Sequence, residues 1–90
     1  MTENQEEALE GLAQLEGWQA PLHFGGGNGS HHGVTARRMA DKLGWVEWCY
    51  RGHEPGEKLR NAERGSCLYR ITAKGRQALA NHKATKGLKP

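Results

Sequence analysis

A chain of 90 residues, of which 36% are hydrophobic and 26% charged, has room for one small domain but not for separate catalytic and regulatory domains. Its composition is too apolar for a fully disordered chain, and no apolar run approaches the roughly 18 residues of a membrane span. The acidic start, Met1 to Glu7, is unlike a secretory signal and predicts a cytoplasmic protein without contact to a membrane.

Charge is distributed unevenly along the chain. The first sixteen residues contain five glutamates and no lysine or arginine, so the remainder has 13 basic residues against 5 acidic ones. A strongly basic segment attracts polyanions, and nucleic acid is the commonest polyanion in a cytoplasm. The charge therefore favours a nucleic-acid partner, with a basic surface that serves only solubility as the alternative.

Residues 3–16 have the periodicity of an amphipathic helix. Its apolar stripe consists of Ala8, Leu9, Leu12 and Leu15. Thr2 and Gln5 have the spacing of a capping box at its start, and Gly17 is a plausible end. The following residues, 18–24, are too few to assign, and the four glycines among residues 25–29 predict a turn.

A second helix is predicted from His31 to Leu43, with Ser30 as its N-cap and Gly44 as its end. At 100° per residue its apolar side consists of His32, Ala36, Met39, Ala40 and Leu43. The opposite side is a polar stripe of His31, Thr35, Arg38 and Lys42, flanked by Val34 and Arg37.

Two strands follow, joined by a polar loop over residues 52–65. The first alternates with period two, so that Val46, Trp48 and Tyr50 face the core and Cys49 faces outward. In the second, residues 66–71, the inward residues are Cys67, Tyr69 and Ile71. The two sulfurs should therefore lie on opposite faces of one hairpin and remain unbonded.

The chain ends in a third predicted helix. Thr72 is its expected cap, and the helix should extend from Ala73 to about Lys83. Residues 85–90 are predicted to form a flexible basic tail.

Two joints in this order of elements have a recognisable sequence. They are Leu43-Gly44-Trp45-Val46-Glu47, where the second helix enters the hairpin, and Tyr69-Arg70-Ile71-Thr72-Ala73-Lys74-Gly75-Arg76, where the hairpin enters the last helix. Both resemble the corresponding joints of winged helix-turn-helix proteins, the MarR-like transcriptional regulators in particular. A third stretch, Gly29-Ser30-His31-His32, resembles the start of the recognition helix in small winged-helix proteins of bacteriophages and mobile elements.

The likeness covers roughly residues 8–80. It implies an α+β winged helix-turn-helix domain over residues 1–84, with about three helices and a two- or three-stranded β-hairpin wing. This sequence departs from the family in its loose glycine turn and in a segment, residues 19–24, that is shorter than the usual second helix. It also lacks the long flanking helices through which MarR-like regulators dimerise, so we expect a monomer or a weak homodimer.

The resemblance implies that the recognition helix, residues 31–43, enters the major groove of double-stranded DNA. Candidate base-reading residues are His31, Val34, Thr35, Arg37, Arg38 and Lys42, because arginine pairs bidentately with guanine and valine can touch a thymine methyl group. Asn28 and Ser30 are candidates for holding a phosphate at the helix N-terminus. In the wing, residues 46–71, Lys58, Arg60 and Arg64 would contact the backbone or minor groove. The ordinary alternatives are a solvated helix face, a simple helix cap and a solvated loop.

The predicted function is therefore sequence-specific DNA binding by a small transcriptional regulator that needs no cofactor. The alternative is a protein–protein interaction module whose acidic first helix docks on a basic partner. Cys49 and His53 are the only pair at metal-ligand spacing, and Cys49 with His31 lacks an orienting third group. We therefore predict neither a metal site nor an enzyme.

Overall fold

The computed structural model describes residues 1–20 and 29–87, with side chains over residues 1–20 and 33–85. The elements, in chain order, are helix α1 (Glu3–Gln14), helix α2 (Gly29–Lys42), strand β1 (Val46–Tyr50), a 3₁₀ turn (Asn61–Glu63), strand β2 (Cys67–Ile71) and helix α3 (Ala73–Gly87). Over these ranges the chain is α+β, with three helices and a two-stranded antiparallel hairpin, as the sequence predicts. None of the helices in the described part is both long and apolar enough to cross a membrane.

Helix α1 begins with the predicted capping box. The Gln5 N–H donates to the Thr2 hydroxyl at 3.1 Å, and the Thr2 N–H donates to the Gln5 side-chain oxygen at 2.9 Å. Ala8, Leu9 and Leu12 are at most 1% exposed. The apolar stripe read from the sequence is therefore the face that packs against α2, β2 and α3.

Helix α2 buries the predicted apolar side, since Ala36 and Met39 are both 0% exposed. It begins at Gly29, so Ser30 lies inside the first turn and is not the N-cap that we predicted. The N-cap residue precedes the first helical residue, where its side chain can accept from the free N–H groups of the first turn. Ser30 is the second residue of the helix and lies past that position. The helix ends at Lys42, one residue before the predicted Leu43. Gly44 is the predicted stop: it takes a left-handed φ of 70°, and the Trp45 N–H reaches back to the Met39 carbonyl at 3.3 Å.

The two-stranded sheet is joined at one edge by an isolated bridge that the sequence did not assign. Strand β1 pairs with β2 in a register that places Val46 opposite Ile71 and Trp48 opposite Tyr69. On the other edge of β2, Gln19 and Tyr69 exchange two backbone hydrogen bonds of 2.8 Å. Gln19 therefore lies beside β2 on the side opposite β1.

The two faces of the hairpin differ as the alternation predicts. Val46, Tyr69 and Ile71 belong to the core, and Cys67 packs partly against it. Cys49, opposite Leu68, lies on the other face, and both cysteines are free. The expectation of an outward Cys49 is correct for its face but wrong for its exposure, which is only 3%.

Helix α3 is longer than predicted, because it continues past Lys83 to Gly87. The Thr85 hydroxyl donates to the Asn81 carbonyl at 2.9 Å, and no proline lies between Ala73 and Pro90. Residues 85–87, expected in the tail, are therefore helical, and residues 88–90 of that predicted tail lie outside the described residues.

Candidate nucleic-acid interface

The two joints that carry the family resemblance are bound to each other. The Thr72 hydroxyl donates to the Gly44 carbonyl at 2.7 Å and accepts from the Gly75 N–H at 3.0 Å, while the Thr72 N–H donates to the Trp45 carbonyl at 3.0 Å. Thr72 thus caps α3 and fixes the end of α2 at the same time. These three hydrogen bonds therefore help to fix the orientation of α2 relative to the hairpin.

Gly75 allows this close approach. A Cβ at this position would overlap the Trp45 carbonyl oxygen and would lie 2.9 Å from Ile71 Cγ1. The first turn of α3 therefore packs directly on the backbone at the end of α2. Only glycine fits at this position without a shift of the helix.

Opposite its buried side, α2 presents an outer face of Val34, Arg38 and Lys42, which we call the α2 outer face. These residues are four positions apart and so lie on one side of the helix, and all three are exposed, Val34 by 56%. Within the described part of the chain, neither Arg38 nor Lys42 has an acidic side chain within ion-pair distance. Two predicted base-reading cations are thus presented without an ion-pair partner in the part of the chain that the structure describes.

Arg37 is positioned differently from its neighbour Arg38. Its guanidinium lies 3.6 Å from the centre of the Trp48 ring, and its Nε is 3.3 Å from an Asp41 carboxylate oxygen. The side chain is thus turned toward β1. Thr35, a further predicted contact, is half-buried.

Three of the predicted contacts rest on the start of α2. Asn28 lies outside the described residues. Ser30 and His31 are in the first turn of α2, and their side chains also lie outside the described part. Their assignments as phosphate and base contacts stay predictions.

In the loop between the strands, residues 51–66, two of the three carboxylates accept hydrogen bonds from the loop itself. One Glu57 carboxylate oxygen accepts a 2.7 Å bond from His53 Nδ1 and the other accepts from the Glu54 N–H at 3.3 Å, and these bonds hold the pKa of Glu57 below its ordinary value. Glu63 accepts from the Arg60 N–H at 3.4 Å. Neither helix nor strand periodicity predicts these bonds, because they form within an irregular loop.

The basic residues of the loop are exposed. Lys58, Arg60 and Arg64 all have exposed side chains, and the Arg64 guanidinium lies 6.0 Å from the centre of the Tyr50 ring. Although the formal charge of residues 52–65 is close to balanced, the loop presents its cations outward while two of its carboxylates bind backbone.

The acidic first helix is partly engaged within the molecule. Glu6 lies 2.9 Å from His82 Nε2, and Glu10 lies 3.0 Å from Lys83 Nζ. Both pairs join α1 to α3. Two of the five glutamates considered as a docking surface for a basic partner therefore also connect the two terminal helices.

Cys49 and His53, the pair at metal-ligand spacing, have different surroundings. Burial raises the pKa of the Cys49 thiol, with Arg70 partly opposing this shift, and His53 is bonded to Glu57. On this outer face of the hairpin, Arg70 donates to Glu47 at 2.6 Å and lies 4.3 Å from the centre of the Trp18 ring. Among the described residues no group of three metal-ligating side chains comes together.

Comparisons with known proteins identify no relative: no family model matches the chain, and neither the curated proteins nor the solved structures that were searched contain a match.

Proposed function

We propose that this chain is a winged helix-turn-helix protein that binds double-stranded DNA, with α2 as its recognition helix and the β1–β2 hairpin as its wing. The observation that carries the proposal is the division of α2 into two faces. Ala36 and Met39 are completely buried, whereas Arg38 and Lys42 are exposed and have no ion-pair partner among the described side chains. A helix held by one face and cationic on the other has the form that enters a major groove.

The topology supports the same proposal. Helix α1, the extended segment at Gln19, α2, the two strands and α3 follow one another in the order of a winged helix, and Gln19 pairs with the second wing strand. The loop that extends from the hairpin presents Lys58 and Arg60 to solvent. Cations on the recognition helix and at the wing would contact one duplex at two places.

As a transcriptional regulator the protein would act by occupying its site on DNA. Arg38 is the principal base-reading residue of this proposal, Val34 the apolar contact, and Lys42, Lys58 and Arg60 the phosphate contacts. Docking of the acidic α1 on a basic partner has less support, because Glu6 and Glu10 already pair with α3.

Binding of a labelled random duplex at increasing salt tests this proposal. With the three phosphate contacts of Lys42, Lys58 and Arg60, the affinity should fall by about 40-fold between 50 and 200 mM salt. Selection from random duplexes should then yield a preferred sequence. The variant Lys42→Ala provides the matched control, since it should reduce the salt dependence without changing the preferred sequence. Salt-independent binding, or none, would rule out this function.

A further inference from the structure

A continuous row of four side chains connects α2 to the wing. The Arg37 guanidinium covers the Trp48 ring at 3.6 Å, Trp48 meets Tyr50 edge to face at 5.1 Å, and Arg64 lies 6.0 Å from the Tyr50 ring. We call this the aromatic row. It begins on the recognition helix and ends at the base of the loop that holds Lys58 and Arg60.

Arg37 is held in the row from two sides. A cation over an aromatic face is stabilised by the ring quadrupole, and the Asp41 carboxylate, one helical turn further on, binds the Nε at 3.3 Å. To reach a base, the guanidinium would have to leave both partners. About 100° of rotation around the helix axis also separates Arg37 from Arg38, the residue at the centre of the α2 outer face.

We propose that Arg37 is a positioning residue, which aligns the wing with the recognition helix through Trp48 and Tyr50 so that both contact one duplex in register. This inference rests on the proposed function. It also assigns a second effect to Arg37: it neutralises Asp41, an exposed carboxylate that would otherwise face the DNA backbone.

The alignment makes a specific energetic prediction. If Arg37 sets the position of the wing, the contribution of Arg60 to DNA binding depends on Arg37, and the two substitutions are not additive. Arg37→Ala should weaken binding about 10-fold, and Arg60→Ala about 5-fold in the wild-type protein but less than about 2-fold when Arg37 is already alanine. Arg38 provides the control, because Arg38→Ala and Arg60→Ala should be additive.

Two further variants separate alignment from charge. Asp41→Asn removes the carboxylate, so comparison of Arg37→Ala with Arg37→Ala/Asp41→Asn measures how much of the loss comes from the exposed negative charge. Trp48→Leu keeps the charge of Arg37 but removes the ring, and it should reproduce the loss of coupling to Arg60. Thermal unfolding of each variant identifies any that has lost its fold, in which case Arg37→Lys, which keeps the charge without the planar group, replaces it.

The experiment is a titration of these variants on the duplex selected by the wild-type protein, with the preferred base at each position determined in parallel. Loss of coupling with an unchanged base preference is the expected result. Additive losses for Arg37 and Arg60, or a base preference altered by Arg37→Ala, would overturn the positioning role while leaving DNA binding intact. A wild-type protein that binds no duplex overturns the proposed function as well, and this is known before any variant is made.

The row can also be tested in the free protein. Of the indole N–H signals of Trp18, Trp45 and Trp48, only that of Trp48 should shift clearly in the NMR spectrum of Arg37→Ala, because only this ring is covered by Arg37. An unchanged Trp48 signal would show that the contact is not maintained in solution and would contradict the proposal.

Discussion

The contact between the end of α2 and the start of α3, which we call the α2–α3 joint, and the α2 outer face are constrained in opposite ways. At the joint, Thr72 and Trp45 use their polar groups within the molecule, and Gly75 leaves no space for a methyl group. On the α2 outer face, Arg38 and Lys42 have no ion-pair partner among the described residues. The fold dictates the residues of the joint, whereas those of the outer face are free to be selected for something that binds there.

The largest effect should come from a methyl group at the joint. Gly75→Ala places a Cβ against the Trp45 carbonyl, so α3 must shift, and we expect a loss of about 3 kcal/mol or more in the free energy of unfolding. In a domain of this size the melting temperature should fall by about 10 °C or more. Gly65→Ala is the matched control, since nothing lies within 4 Å of its Cβ. Equal melting temperatures for the two variants would contradict the packing described for the joint.

Arg38→Ala should show the reverse behaviour. The side chain is exposed and has no partner in the described chain, so the stability should change by less than about 0.5 kcal/mol. DNA binding should weaken by about 1–3 kcal/mol, with a relaxed preference at one base pair. A uniform loss over all sequences would instead assign Arg38 to phosphate contact. Loss of stability would show that the α2 outer face serves the fold.

Alkaline pH should have a smaller effect on the free energy of unfolding, through the ionisation of two buried residues, Cys49 and Tyr69. Burial raises the pKa of the Cys49 thiol and that of the Tyr69 hydroxyl in the folded chain. The unfolded chain therefore ionises first, so stability is complete below the ordinary thiol pKa and falls as the pH rises above it. Chemical denaturation between pH 7 and 10 measures this loss. Cys49→Ala should reduce the pH dependence; an unchanged dependence would exclude the thiol as a contributor.

The smallest effect is expected far from the α2 outer face. Glu3 and Glu16 are exposed residues of the acidic N-terminal segment, and a polyanion is repelled by negative charge. The double variant Glu3→Gln/Glu16→Gln should bind DNA as well as the wild type or slightly better. A clear loss of affinity in a folded variant would place these residues in a binding surface. Glu6 is unsuitable for this test because it pairs with His82.

Sequence reasoning succeeded where neighbours along the chain decide the outcome. The capping box of Thr2 and Gln5, the buried stripe around Leu9, and the end of α2 at Gly44 all follow from local spacing. The alternation in β1 and β2 correctly separated the faces of Cys49 and Cys67.

Contacts between distant segments were beyond its reach. The bridge from Gln19 to Tyr69 and the pair of Glu6 with His82 join residues that are far apart along the chain. The burial of Cys49 depends on the outer hairpin face, where Arg70 is bonded to Glu47 and stacked on Trp18, so periodicity alone could not predict it. For the candidate site, the helix periodicity correctly predicted that Arg38 lies on the exposed side of α2. It could not show that Arg37 turns toward Trp48, because that depends on the tertiary approach of α2 to β1.

The base of the hairpin loop separates two tasks that could otherwise interfere. The Arg51 N–H donates to the Ser66 carbonyl at 2.9 Å and closes the loop where β1 ends and β2 begins. The register of the strands is set outside the loop, so the loop between Arg51 and Ser66 can be lengthened, shortened or exchanged at a small entropic cost. The loop is in this sense a replaceable cassette. A protein built this way can acquire a new contact by loop exchange, while its core and helix α2 keep their structure.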